Sequence, residues 1–203
     1  PAAVGVSAPT ALQLLRDTGK VKPGQKVLIN GASGGVGSFA VQIAKAFGAE
    51  VTGVTSTRNV DLVRSIGADH VNDYTNEDFT EGGPRYDLIL DNVGNHSMAQ
   101  TRRALTPTGM LISNGGGHTG GKLGRTIRAM VASMVVRQQA SPTVKTQNHD
   151  DLVALRDLVE AGKIKPVIDA TYPLRETPRA IDQVAAGHTR GTIVISVVSG
   201  QRD

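Results

Sequence analysis

The chain predicts an α/β fold: a doubly wound parallel sheet of about six strands with helices on both faces, followed by a C-terminal return segment. Three observations carry this. Short apolar runs alternate with helix-spaced segments along most of the chain, and that alternation specifies a parallel sheet. The connections are only a few residues long, so successive elements stay neighbours. The strands read as continuous apolar runs, the pattern of strands covered on both faces.

Lys26–Asn30 (KVLIN) is a β-rich run that enters a glycine cluster. Residues 36–47 then carry apolar side chains at helical spacing, and Gly48 stops them. Glu50–Thr55 is a second strand, residues 59–66 a helix ended by Gly67, and residues 70–72 a short third strand. Tyr86–Asp91 (YDLILD) is a fourth strand. Residues 97–105 are helical, 107–109 turn the chain, and 110–113 form a fifth strand. After a glycine-rich loop at 115–121, a long helix is expected at 123–139, a sixth strand at 142–146, and a helix at 150–161 closed by Gly162. Beyond this the character changes. Residues 165–173 are extended and bounded by proline. Residues 177–186 form a short helix, with Thr177 as cap and Pro178 in the first turn. Residues 191–198 form a closing strand. The division is therefore 1–164 for the parallel-sheet domain with its leading helix, and 165–203 for the return segment.

Composition excludes several classes. Apolar residues make up 39% of the 203 and aromatics only 3%, so the core is aliphatic and base-stacking platforms are not expected. The formal charge is +4, but no run of five basic residues occurs. The excess is read as solvated surface, part of it serving an anionic cofactor, rather than as a nucleic-acid or lipid footprint. There are no cysteines, which rules out disulfides and Cys-ligated zinc within these residues. No apolar stretch reaches the ~18 residues of a membrane span, and no secretory signal pattern opens the chain. The expectations are a cytoplasmic location, no membrane, no nucleic acid, and a natural N-terminus upstream of Pro1.

The central motif is Gly31-Ala32-Ser33-Gly34-Gly35-Val36-Gly37, between a strand and a helix. Glycine permits the tight turn and lets backbone approach a pyrophosphate, and the free N–H groups of the helix start face the phosphates. The spacing fits two dehydrogenase patterns, Ala32-x-Gly34-x-x-Gly37 and Gly31-x-x-x-Gly35-x-Gly37. The second goes with a Tyr-x-x-x-Lys pair. Four residues after Tyr74, Tyr86 and Tyr172 stand Asp78, Leu90 and Glu176, so that chemistry is missing. An NAD site places an acid at the end of the second strand, ~20 residues on. Here the run is Thr55-Ser56-Thr57-Arg58, with no acid before Asp61. Hydroxyls and a guanidinium suit a 2′-phosphate, so NADPH is expected. The competing reading has Ser56 and Thr57 capping the next helix and Arg58 in water.

The run KPGQKVLINGASGGVGSFAVQIAKAFGAEVTGVTSTRN, with SIGADHVNDY, YDLILDNVGN and GHTRGTIVISV, resembles the quinone-oxidoreductase branch of the medium-chain dehydrogenase/reductase superfamily. The resemblance covers essentially the whole chain. It implies a Rossmann domain that follows a GroES-like barrel domain, with residues 1–18 crossing between the two and the return segment completing the barrel. It implies that Ala32, Ser33, Gly34, Gly35 and Val36 cradle the pyrophosphate, and that Thr55, Ser56 and Arg58 face the 2′-phosphate. Tyr74 lies near the adenine or is a half-buried strand tyrosine. Asn92 and Val93 approach the ribose, and Gly115 and Gly116 admit the nicotinamide. Zinc alcohol dehydrogenases carry a ligand cysteine ~25 residues before the glycine loop, where Val6 and Ser7 stand, and neither ligates zinc in that way. A zinc-free site suits hydride delivery to a quinone or enone. An enoyl-thioester reductase, a zinc-free alcohol dehydrogenase and a non-catalytic NADPH-binding scaffold stay open. No catalytic residue or metal ligand is assigned, and a homodimer through the sheet edge at 110–146 is expected.

Other polar residues are read as structural. His70, His96, His149 and His188 stand singly on the surface, while His118 borders the nicotinamide loop and could meet substrate. Asp87 and Asp91 share one strand face, either as a carboxylate pair or as strand-end acceptors. The helix at 123–139, with Met130, Met134, Arg125, Arg128 and Arg137, is either a solvated helix of this fold or a basic amphipathic surface.

Overall fold

A computed structural model describes residues 2–114, 139–140, 148–187 and 189–197. Strands β1 (Lys26–Asn30), β2 (Glu50–Thr55), β3 (His70–Asp73), β4 (Tyr86–Asp91), β5 (Leu105–Ser113) and β6 (Gln139–Ala140) form one sheet. Its order is β3-β2-β1-β4-β5-β6, and every pairing is parallel. The helices are α1 (Ser7–Gln13), α2 (Gly35–Ala46), α3 (Val60–Ser65), α4 (Met98–Arg103) and α5 (His149–Glu160). Strands β7 (Ile168–Pro173) and β8 (Thr192–Ser196), with α6 (Thr177–Ala185) between them, make a separate two-stranded sheet.

Strand alternation divides the core in two, because successive side chains leave opposite faces. Val27 and Ile29 join Leu88, Leu90 and Ile112 in a cluster with Leu12, Leu15, Phe39 and Ile43 of the flanking helices. Leu28 and Ile89 face the other way, onto Phe79, Ala104 and Leu111. Each fully buried Leu or Ile contributes about 1.5–3 kcal/mol by leaving water, so both faces of the sheet must be covered. The strand order reverses between β1 and β4, and in open α/β sheets ligands bind at the strand ends there.

Local chemistry sets the element ends. Gly34, in extended conformation, precedes α2. Ser97 and Gln100 form a capping box on α4, the Ser97 side chain accepting from Gln100 N–H and the Gln100 side chain from Ser97 N–H, which satisfies two backbone donors. Asn148 caps α5, its Oδ1 accepting from Asp151 N–H at 2.8 Å.

Four expectations are corrected. Residues 107–109 do not turn the chain out of the sheet; they are an irregularity inside β5, where the register steps from Tyr86↔Leu105 to Leu88↔Met110. The sixth strand pairs through Leu111↔Gln139 and Ile112↔Ala140, so Gln139 is a strand residue rather than a helix end. The residues proposed for that strand, 142–146, and the rest of the helix at 123–139 with its Met and Arg side chains lie outside the described residues. Thr177 is not a cap. It is the first residue of α6, and its hydroxyl donates back to the Leu174 carbonyl at 2.7 Å. His96 is not a surface histidine. It is half-buried, edge-on to Phe79 with centroids 4.8 Å apart, and its Nε2 lies 3.2 Å from Asp78 Oδ1. His70 pairs with Glu50 at 3.1 Å and is exposed, as is His149. His118 and His188 lie outside the described residues.

Two long-range contacts close the domain. The buried Asp151 carboxylate accepts from Gln13 Nε2 at 2.6 Å and from Arg16 Nη2 at 2.5 Å, which ties α5 to α1 and the turn after it. Gln42 on α2 clasps the start of the return segment from both sides, donating to the Lys165 carbonyl at 3.0 Å and accepting from Lys165 N–H at 2.8 Å.

Candidate dinucleotide site

The site is built where β1 ends. Gly31 has φ +78°, and a Cβ there would lie 2.9 Å from Val93 Cγ2. Gly37 packs so tightly that a Cβ would lie 2.0 Å from the Gly31 carbonyl oxygen. Both positions therefore need glycine for space, and the turn they make brings the first turn of α2 up against β1. The N–H of Gly34 returns to the Gly31 carbonyl at 3.1 Å, and that of Ser38 to Gly34 at 2.9 Å. By helix geometry the N–H groups of Gly35, Val36 and Gly37 have no intrahelical carbonyl, which makes the helix start an anion-binding end.

A cavity of about 380 Å³ opens beside this loop. Ser33, Thr55, Ser56, Arg58, Tyr74 and Val93, all expected site residues, line it together. Ser33, which the resemblance gives to the pyrophosphate, is thus placed beside the residues given to the 2′-phosphate, its Oγ accepting from Thr55 Oγ1 at 3.0 Å. Tyr74 is 57% exposed, so the half-buried strand alternative does not hold. No acid lines this cavity. The nearby Asp73 is occupied elsewhere: its carboxylate accepts from the hydroxyls of Thr57 and Thr75 at 2.6 and 2.8 Å. The Thr57 hydroxyl is the main cause that holds the Asp73 carboxyl below the ordinary carboxylate range. Thr57 thus bridges to β3, Ser56 makes no side-chain cap bond, and the capping alternative fails for both. Arg58 is exposed and makes no ion pair among the described residues.

Other expected residues have different parts. Ala32 is fully buried, and its N–H donates to the Val54 carbonyl at 3.0 Å, so it holds the turn and offers no donor outward. Gly34, Gly35 and Val36 form the helix start but do not line the cavity. A Cβ on Gly35 would lie 3.0 Å from Ser7 Oγ and 3.4 Å from the Gly191 carbonyl. The Asn92 amide is held within the protein: Nδ2 donates to the Asn30 carbonyl at 3.0 Å and Oδ1 accepts from Asn114 at 2.9 Å. It fastens the strand ends. Gly115 and Gly116 lie outside the described residues. Asp91 is a strand-end acceptor, its Oδ1 taking Asn30 Nδ2 at 2.9 Å, Val93 N–H at 3.0 Å and Gly94 N–H at 2.9 Å. Asp87 accepts from Lys26 N–H at 2.9 Å, so the two acids are not a working pair.

The cavity is also lined by residues that the sequence does not single out, among them Asn59, Gly187 and Thr189. Asn59, only 5% exposed, donates to Ser33 Oγ at 3.1 Å. Gly187 and Thr189 of the return segment close the rim, and Gly191 N–H donates to the Ser33 carbonyl at 2.7 Å. Asn59 stands one residue past Arg58 and was readable as part of that strand tip. The return segment gave no local signal, since its contact spans more than 150 positions.

A glycine turn at the switch point of a parallel sheet, with a polar acid-free cavity beside it, defines a dinucleotide-binding domain of the Rossmann type. The comparisons then fix the family. Residues 66–195 match the model of the "Zinc-binding dehydrogenase" family, and the chain belongs to it, as a quinone oxidoreductase-like member of the medium-chain dehydrogenase/reductase superfamily. It is 35% identical over 96% of its length to the "Zinc-type alcohol dehydrogenase-like protein C16A3.02c" of Schizosaccharomyces pombe, of which it covers 58%. It is 37% identical over 86% of its length to "NAD(P)H oxidoreductase RTN4IP1, mitochondrial" of Mus musculus, covering 48%. The quinone oxidoreductase structure from Coxiella burnetii superimposes with a TM-score of 0.81 at 31% identity, covering 97% of this chain and 60% of that one. The chain thus spans about half to three fifths of these proteins. Among the described residues no group of three His, Asp or Glu side chains could hold a metal, and no helix is long and apolar enough to cross a membrane.

Proposed function

We propose that this chain is the cofactor-binding part of an NADPH-dependent oxidoreductase that delivers hydride to a quinone or a related conjugated carbonyl, without zinc. The observation that carries the cofactor choice is the cavity at the tip of β2, which Ser33, Ser56 and Arg58 line with no carboxylate among the lining residues. A 2′-phosphate meets hydroxyls and a guanidinium there, and a carboxylate that would favour a ribose diol is missing. Relatives described as a quinone oxidoreductase and an NAD(P)H oxidoreductase support the acceptor and the cofactor class. The nicotinamide would supply the hydride. The chain's part is positional: the turn at Gly31 and the start of α2 receive the pyrophosphate, and Arg58 and the serines hold the phosphate end. A conjugated acceptor spreads charge onto its own oxygen, so no Lewis acid is required of these residues. The exposed apolar side chains of the return segment, Ile168, Leu174, Ile181 and Val184, are assigned to a catalytic domain completed with residues beyond this chain. The β6 edge is assigned to a homodimer.

Arg58→Ala tests the reading. A hydrogen bond to a charged group is worth about 1.5–3 kcal/mol, so NADPH affinity is expected to fall about 10- to 100-fold at ~1.4 kcal/mol per decade. NADH affinity should change less than twofold, as measured by nucleotide fluorescence titration. Tighter binding of NADH than NADPH by the unaltered chain defeats the cofactor assignment. NADPH oxidation by the whole protein with a simple quinone tests the acceptor class.

A further inference from the structure

We infer that Asn59 sets the hydrogen-bond polarity of the phosphate end of the cavity and thereby selects the 2′-phosphorylated cofactor; this rests on the NADPH reading above. Asn59 is buried where α3 begins, beneath the cavity. Its Nδ2 lies 3.1 Å from Ser33 Oγ and 3.4 Å from Ser56 Oγ. An amide nitrogen can only donate, so Ser33 Oγ is the acceptor in that pair. Thr55 Oγ1 donates to the same oxygen at 3.0 Å. A hydroxyl has two lone pairs and one proton. With both lone pairs engaged, Ser33 keeps only its proton for whatever enters the cavity.

Ser33 is thus an obligate donor. A phosphate dianion offers only acceptor oxygens, and a donor fixed toward it costs no reorientation. Asn59 does not need to touch the phosphate to favour it: it acts as a positioning residue through Ser33. Asn59 Oδ1 is itself buried with no hydrogen-bond partner among the described residues.

The test is the ratio of NADH to NADPH dissociation constants, measured on the whole chain by calorimetry. Asn59→Ala is expected to lower the preference for NADPH about tenfold, and Ser33→Ala to do the same. In a Ser33→Ala background, Asn59→Ala should lower it less than twofold further, because the two act through one hydroxyl. Asn59→Leu, close in size, uncharged and unable to donate, should lose the preference as far as Asn59→Ala; it also serves if the alanine variant does not fold. A merely structural Asn59 would weaken both cofactors alike and leave the ratio unmoved, and that result overturns the inference. So does full additivity with Ser33→Ala, or an Asn59→Leu chain that keeps its preference. Should the unaltered chain itself prefer NADH, it is the NADPH reading that fails, ahead of any role for Asn59.

Discussion

Gly37→Ala is expected to destabilise the chain by at least ~3 kcal/mol and to weaken dinucleotide binding at least a hundredfold. The added Cβ would lie 2.0 Å from the Gly31 carbonyl oxygen, 2.8 Å from its carbon and 2.9 Å from Ala32 Cα. All three atoms are backbone, so no side-chain rotation relieves the clash. The turn cannot simply open either, because Ala32 N–H is fixed to Val54 and Gly34 N–H to Gly31. The loop must shift as a unit, which moves the α2 amides away from where phosphates would sit. For a domain of this size, thermal unfolding should show a fall of about 6–12 °C, with binding followed by nucleotide fluorescence. An alanine variant that binds NADPH within tenfold of the parent would show that this close approach does not shape the site.

The second large effect is expected at Asp151. Its carboxylate is fully buried and accepts from Gln13 and Arg16. Asp151→Ala removes the acceptor for both and should cost about 2–4 kcal/mol. The interaction also carries a pH signature. Burial alone would raise the Asp151 carboxyl, but the hydrogen bonds from Gln13 and Arg16 outweigh it and hold the group below the ordinary carboxylate range. A carboxylate with a lowered folded value stabilises fully above the unfolded value of ~3.9, and that stabilisation is lost as pH falls through the lower folded value. The gap in denaturant midpoint between the parent and Asp151→Asn should therefore be widest near neutrality and shrink below about pH 4. A gap that stays constant or widens in acid would contradict the assignment.

What could be read from the chain divides along the range of the forces involved. β1, β2 and β4 were legible to the residue because each is an apolar β-rich run with polar ends, and both faces of the sheet demand that pattern. The glycine turn was legible because its chemistry is local. β5 starts earlier than its composition suggests, since Pro107 and Gly109 look like a turn and only pairing with β4 shows them inside a strand. The sixth strand was placed at 142–146, and its ladder partner at Gln139 is decided by β5, not by local composition. In the site, the strand tip from Thr55 to Arg58 was visible from spacing. The bonds of Ala32 and Asn92 were not, because which N–H or amide pairs within the protein depends on the partner strand. Asn59 belongs to the same strand tip, but its bond to Ser33, 26 positions earlier, does not show in local spacing.

The hydrogen bond from Gly191 N–H to the Ser33 carbonyl makes the nucleotide loop and the last strand one mechanical part. A displacement of β8 pulls directly on the peptide that carries Ser33, the side chain on which the hydroxyl network converges. Whatever packs against β8 has a lever on how firmly the loop is set.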